Sequence, residues 1–240
     1  MSEKIKLRWN GHACFDMEDL ETGKKLIIDP FIEGNPSSKI RKEDVKTDVV
    51  VVTHGHSDHV GSAPFICKQN NAPLVTMVEL AWILSEKNEG LKVHDLNFSG
   101  TTEVAGIKIT AVPAMHSSSY EGMYAGNPGG MILDFGGVRI YHAGDTGLFK
   151  DMELIGSVYR PDVAMLPIGG HYTMSPQDAA KAVTLINPHI AIPMHYNTFP
   201  PITQDPKIFK NMVEINSRTK VIIPVIGEEI TLDSVKLHSH

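Results

Sequence analysis

The chain has 240 residues, 42% of them hydrophobic and 21% charged, which excludes a disordered chain, and no window approaches the ~18 apolar residues of a spanning helix, so no membrane role is expected. The formal net charge is −6, with Lys and Arg scattered rather than striped. A nucleic-acid partner normally needs a basic face, so none is expected, and a small-molecule substrate is the better expectation.

In chain order, KIKLRW, HACFDM and KKLIID read as strands, and DVVVVT is a continuous apolar run suited to a strand buried on both faces. SAPFICKQN and VELAWILSEKN read as helices, the second with Gly90 at a C-terminal cap position. IKITAVP, GMILDFG and VRIYHAG are strands, and Gly136-Gly137 between the last two signals a hairpin. A helix around LFKDMELIGSV and the strand DVAMLPI follow. SPQDAAKAVTLI is a helix with Ser175 as N-cap, Pro176 in its first position and Asp178 in its first turn. HIAIP is a strand and DPKIFKNMVEINS a helix, while KVIIPVI and EEITLD are expected to pair as the closing strands. Each half places strands first and helices later, which implies two packed sheets with helices outside. No linker or low-complexity segment interrupts the chain, so one domain over residues 1–240 is expected. Cys14 and Cys67 are too few for a disulfide framework and read as free thiols. The start MSEKIKLRWN lacks the apolar core of a signal peptide, so a cytoplasmic location is expected. Oligomeric state, a homo-oligomer included, is left open.

Chemistry concentrates at THGHSDH, directly after DVVVV. Four ionisable groups this close, His54, His56, Asp58 and His59, repel or lose solvation when buried, and a bound cation makes the crowding favourable. Three further strand ends carry candidate ligands: His116 after IKITAVP, Asp145 after VRIYHAG and His195 after HIAIPM. Two-metal sites hold their ions roughly 3.5–4 Å apart and need about seven ligands. The assignment is His54, His56 and His116 to one ion, Asp58, His59 and His195 to the other, with Asp145 bridging. The cofactors are then two divalent metal ions, and an all nitrogen-and-oxygen set suits Zn²⁺ first, with Mn²⁺ or Fe²⁺ as alternatives.

With these residues assembled, the chain resembles the metallo-β-lactamase superfamily, whose signature is HxHxDH followed by isolated His, Asp and His. NGHACF, PIGGHYTMSP and PMHYNTFP resemble, more narrowly, a group of small metal-dependent hydrolases. Relatives of that group include an ascorbate-6-phosphate lactonase and phospholipase-D-like phosphodiesterases. The resemblance implies an α+β layered fold, an αββα sandwich, with a dinuclear site at one edge of the sheets. Lactamases proper often lack the equivalent of His59 and use a cysteine ligand, and flavodiiron oxidoreductases carry glutamate where His56 stands. The expected activity is hydrolysis of a lactone, ester or phosphodiester by a hydroxide that two dications generate at neutral pH. A phosphodiesterase or nuclease acting on nucleic acid, and a non-enzymatic metal-binding protein on the same scaffold, are the rival readings.

Two catalytic roles are expected beyond ligation. Asp58 can orient the attacking hydroxide, and His171, in PIGGH, can stabilise an oxyanion or protonate the leaving group. The structural alternative for His171 is a residue that merely leads into the helix at Ser175. Asp29 is either a turn residue before Pro30 or a carboxylate accepting from a ligand histidine. His12 is either a partner of a ligand, as Asp29 can be, or a hydrogen-bonded core histidine, the reading preferred. His142 reads as packed, and His94, His189, His238 and His240 as structural or exposed. Tyr196 and Asn197 flank His195 and can touch substrate, a turn role being the plainer one for Asn197.

Overall fold

Strand direction decides which loops meet. The computed structural model describes residues 4–233, so His238 and His240 lie outside the described residues. The first half runs β1 (Lys4–Trp9), β2 (Phe15–Asp19), β3 (Lys25–Ile28), β4 (Val49–Val51), α1 (Ser57–Val60), α2 (Ala63–Asn70), β5 (Leu74–Met77), α3 (Val78–Lys87) and β6 (Val93–Leu96). The second runs β7 (Thr101–Val104), β8 (Ile107–Pro113), the short hairpin β9 (Ser119–Tyr120) and β10 (Met123–Tyr124), β11 (Gly129–Asp134), β12 (Arg139–His142), α4 (Met152–Tyr159), β13 (Val163–Pro167), α5 (Pro176–Ile186), β14 (Ile190–Met194), α6 (Pro206–Asn216), β15 (Lys220–Val221) and β16 (Glu229–Asp233).

Two seven-stranded sheets result, ordered β16-β1-β2-β3-β4-β5-β6 and β15-β14-β13-β12-β11-β8-β7. Each is antiparallel at one side and parallel at the other, β3 to β6 in the first and β12 to β15 in the second. Their inner faces share one core, in which Leu7, Phe15, Val49 and Val51 meet Ile109, Met131, Ile140 and Met165. The alternation within β4 does this work: Val49 and Val51 face the sheet interior, while Val50 and Val52 face Ile66, Leu80 and Leu84 of the outer helices. On the far side Val183, Ile186, Phe209 and Val213 of α5 and α6 close the same core. The fold is the αββα sandwich that the sequence implied.

Two antiparallel steps restore a strand's direction, so β1 runs with β3 and β4, and β8 runs with β12, β13 and β14. The loops leaving all of these therefore collect at one edge of the sandwich. That edge receives His12, Asp29, THGHSDH, His116, Asp145, His171 and His195.

Several boundaries differ from the sequence expectation. KVIIPVI and EEITLD do not pair: β15 lies parallel to β14 in the second sheet, whereas β16 lies antiparallel to β1 in the first. β15 stops at Val221, and Pro224, which has no N–H to give a ladder, stands in the segment that crosses between sheets. β5, β6 and β7 were not anticipated, because LVTM, VHDL and TTEV are too short to show a period. The helix expected around Leu148 begins only at Met152. The hairpin β9–β10 did leave a trace, Glu121-Gly122, where both residues take positive φ (49° and 79°) as a two-residue hairpin turn requires.

The cap of α5 is as expected: Ser175 Oγ accepts from Asp178 N at 3.1 Å, and the Asp178 carboxylate accepts from Ser175 N. Ser175→Ala should lower unfolding free energy by about 1 kcal/mol, the usual cost of losing such a cap. A denaturant titration in which its midpoint matches that of the parent would show that the cap contributes nothing.

Candidate metal centre

THGHSDH leaves β4 and turns at once into the single-turn helix α1. His54 is buried, with Nδ1 3.0 Å from Thr53 Oγ1 and Nε2 3.0 Å from His56 Nδ1. His56 is half-buried, and its Nε2 lies 3.4 Å from Ser117 Oγ. α1 swings Asp58 and His59 onto the next bend, so that His59 Nδ1 donates to Asp29 Oδ2 at 2.8 Å and Nε2 lies 3.3 Å from Asp145 Oδ2. Asp145 follows Gly144, whose φ of 60° lets the chain turn inward past Thr53. Its Oδ2 also stands 3.0 Å from His195 Nε2 and 3.6 Å from His116 Nε2.

The seven sequence-derived candidates are thus together. Donor atoms of His54, His56 and His116 lie within 4.8 Å of one another, those of Asp58, His59 and His195 do likewise, and Asp145 groups with His54 and His59. His12 joins the second of these groups, which the strand-end reading did not include.

The cluster's own charges are uneven. Burial pushes the Asp145 carboxyl up, but the His195 and His59 imidazoles beside it hold it well below the usual carboxylate range. Burial likewise opposes ionisation of Asp58, yet its bond to His12 and the nearby His59 leave it below its ordinary value. His59 is pushed down by burial and up, more strongly in sum, by Asp145 and Asp29, so it stands well above an ordinary histidine. His54, His56 and His116 are all lowered, chiefly by burial, so their rings are neutral and have a lone pair to give.

Divalent ions fit this donor set. His59 Nε2, Asp145 Oδ1 and both ring nitrogens of His195 are buried without a hydrogen-bond partner, although two of these nitrogens stand close enough to Asp145 for ion pairing. Buried polar atoms are almost always satisfied, so several left unpaired and converging call for a cation. The supporting contacts also suit ligation: Asp29 fixes the Nδ1–H of His59 and leaves Nε2 to face inward.

His12 takes the less favoured of the two roles the sequence left open to it. It is buried, but its Nε2 lies 3.1 Å from Asp58 Oδ2, its Nδ1 3.0 Å from Thr198 Oγ1, and its ring centroid 3.9 Å from that of His195. Burial first, then His195, push its pKa down to about 4. With both nitrogens engaged it orients Asp58. The signal was present in the sequence, since NGHACF also leaves a strand, β1, but the direction of that strand was not readable. Asp29 combines both roles open to it, a left-handed turn residue (φ 46°) that accepts from His59 and from Thr53 N and Oγ1. Thr53, Ser118 and Thr198 went unnoticed, because lone hydroxyls leave no pattern. Ser118 Oγ accepts from Gly55 N and donates to Ala125 O, tying the metal loop to the β9–β10 hairpin.

His142 is buried, with Nε2 donating to Ala13 O, and is structural as expected. Tyr196 is buried against Trp9, ring centroids 5.2 Å apart, and Asn197 caps a turn by accepting from Gln204 N, so neither reaches into the site. His94 and His189 are exposed. His171 is exposed at the same edge, its ring edge-on to Tyr172. Cys14 and Cys67 are free and buried. No helix of the described residues is long and apolar enough to cross a membrane.

A family model described as a beta-lactamase superfamily domain matches residues 6–195. A "UPF0173 metal-dependent hydrolase" of Thermoplasma acidophilum is 52% identical over 231 residues, covering 96% of this chain and 100% of the relative. Its counterpart in Thermoplasma volcanium is 50% identical, covering 95% and 99%. Among solved structures, a metallo hydrolase from the hyperthermophilic archaeon Ignicoccus hospitalis superposes with a TM-score of 0.87 at 42% identity, covering 95% of this chain and 98% of that one. The histidine–aspartate cluster at the sheet edge and these likenesses agree: the chain belongs to the beta-lactamase superfamily, as one of its metal-dependent hydrolases.

Proposed function

We propose that the chain hydrolyses a small-molecule lactone, ester or phosphodiester at a dinuclear centre. His54, His56 and His116 hold one ion, Asp58, His59 and His195 the other, and Asp145 lies between them. The observation that carries this reading is the set of buried, unpartnered donor atoms on His59, Asp145 and His195. Bound divalent ions, zinc first and manganese or iron as alternatives, supply Lewis acidity and lower the pKa of water toward neutrality.

The protein's own residues do the rest. Asp145 is buried and serves as a fixed charge, whereas the Asp58 side chain keeps 31% of its exposure and faces the opening. His12 holds one Asp58 oxygen, leaving the other to accept a hydrogen bond from the attacking water. His171, arriving from β13, donates to the developing oxyanion or to the leaving group. A cleft of about 470 Å³ lined by His56, Asp58, Ser119, Tyr120 and Glu121 is of small-molecule size. The buried free thiols accord with a reducing, cytoplasmic setting.

The test is a panel of lactones, carboxylic esters and phosphodiesters offered to protein loaded with Zn²⁺, Mn²⁺ or Fe²⁺, with metal content measured in parallel. Two ions per chain and turnover of one class are expected. Full loading without turnover of any class would refute the reading.

A further inference from the structure

The loops that carry the candidate ligands also carry exposed apolar side chains. Met115 (62% exposed) directly precedes His116, Leu148 (39%) follows Asp145 by three residues, Tyr172 (58%) is next to His171, and Phe199 (36%) follows His195 by four. Their positions are tied together rather than incidental. Gly147 N donates to Met115 O at 3.0 Å, Met115 N donates to Thr146 Oγ1 at 3.0 Å, and Met174 N donates to Thr146 O at 3.1 Å. Thr146, buried beside Asp145, therefore clamps three of the four loops. Phe199 packs edge-on to His12, ring centroids 5.6 Å apart, which places it against the pair that holds Asp58.

Charge is as uneven as polarity. The segments 10–14, 29–37, 54–62, 114–125, 144–149, 168–175 and 195–204 make up this edge of the sandwich, and none contains a lysine or arginine, although the chain has 22. Lysines do reach the edge from outside, where their ammonium groups are engaged: Lys87 pairs with Glu121 at 2.6 Å, Lys42 pairs with Glu33, and Lys39 donates to the Ile226 carbonyl at 3.0 Å. A phosphate carried away from the reacting centre would find no lysine or arginine on these segments, and an apolar chain would find Met115, Leu148, Tyr172 and Phe199, with Met123 and Tyr124 of the hairpin, still to be covered. Exposed apolar side chains gathered on the loops of one site mark a place where something apolar binds.

We infer that the substrate presents an uncharged, apolar substituent to this rim, so that it is an ester or lactone of an apolar acyl group rather than a phosphorylated compound. This rests on the hydrolase reading above and narrows it. The reaction balances as simple hydrolysis. The water oxygen bonds to the acyl carbon, the bond from that carbon to the leaving oxygen breaks, and the water proton passes to that oxygen, giving acid and alcohol.

The probes are acetohydroxamate and octanohydroxamate, titrated calorimetrically into the zinc-loaded protein. Burying a methylene gives up to about fourfold in affinity, so six of them partly covered should tighten binding at least ~30-fold. Leu148→Ser combined with Tyr172→Ser should shrink that ratio below about tenfold. In parallel, p-nitrophenyl hexanoate should be hydrolysed faster than p-nitrophenyl acetate, and bis(p-nitrophenyl) phosphate more slowly than either. Equal affinity for the two hydroxamates overturns the inference, as does preference for the phosphodiester. Chain-length dependence without turnover of any ester would leave the rim standing and sink the hydrolase reading instead. A dimer that the double variant dissociates, with hydroxamate affinity independent of chain length, would assign the rim to a second copy and also overturn the inference.

Discussion

Replacing Asp145 with alanine should weaken binding of divalent ions at least about 100-fold, the upper end for losing even an outer partner of a ligand. Asp145 is the group nearest the middle of the cluster: one oxygen stands 3.0 Å from His195, 3.3 Å from His59 and 3.6 Å from His116, and the other has no partner. Removing it takes away the one carboxylate, among the described residues, that groups with histidines of both sets. Turnover should fall at least as far. The fold should survive, since burial of the carboxylate opposes the gain from its histidines, and His59 retains Asp29 at 2.8 Å. His116→Ala, by contrast, removes a member of one group only and should lower occupancy of one ion. Elemental analysis and a denaturant titration of both variants separate these outcomes. Two ions per chain retained in Asp145→Ala would remove that residue from the centre.

His171→Ala should lower kcat by roughly 10²–10³, the usual loss for one donor to a developing oxyanion. KM should move little and metal content not at all, because an interaction made only in the transition state appears in kcat. The motivation is placement. His171 leaves β13, which lies between β12 and β14, the strands that deliver Asp145 and His195. Its loop is held at both ends, by Gly170 N donating to Met174 O and by Met174 N donating to the carbonyl of Thr146 beside Asp145. The ring itself is exposed and stands edge-on to Tyr172, which leaves it free to face a substrate. Full kcat on a true substrate with both metals present would return His171 to the structural role of leading into α5. Loss of one ion would make it a ligand.

The candidate cluster was legible because its residues are chemically costly. Three histidines and an aspartate at the end of DVVVV have no comfortable reading as strand or core, and His116, Asp145 and His195 each follow a strand whose apolar run is plain. The cap at Ser175 and the hairpin at Gly136-Gly137 were local in the same sense, fixed by neighbours in the chain. What failed was long-range. KVIIPVI and EEITLD look like partners because they are adjacent, yet each finds a different sheet, and nothing between them in sequence records which edge is open.

His12 marks the boundary between the two kinds of information. Its own residues say only that it follows an apolar strand, as a packed histidine also would. That β1 runs with β3 and β4 depends on two antiparallel pairings, with β2 as the intermediate, and this direction alone turns His12 toward Asp58 instead of into the opposite end of the sandwich. The orienting hydroxyls of Thr53, Ser118 and Thr198 were invisible for the same reason: one hydroxyl has no pattern until its partner arrives from elsewhere in the chain. The sequence by itself determined the donor chemistry, because metal-binding residue types at strand ends are recognisable one loop at a time. The tertiary structure alone decided which loops share an edge, since strand direction and sheet order arise from pairings between residues far apart in the chain.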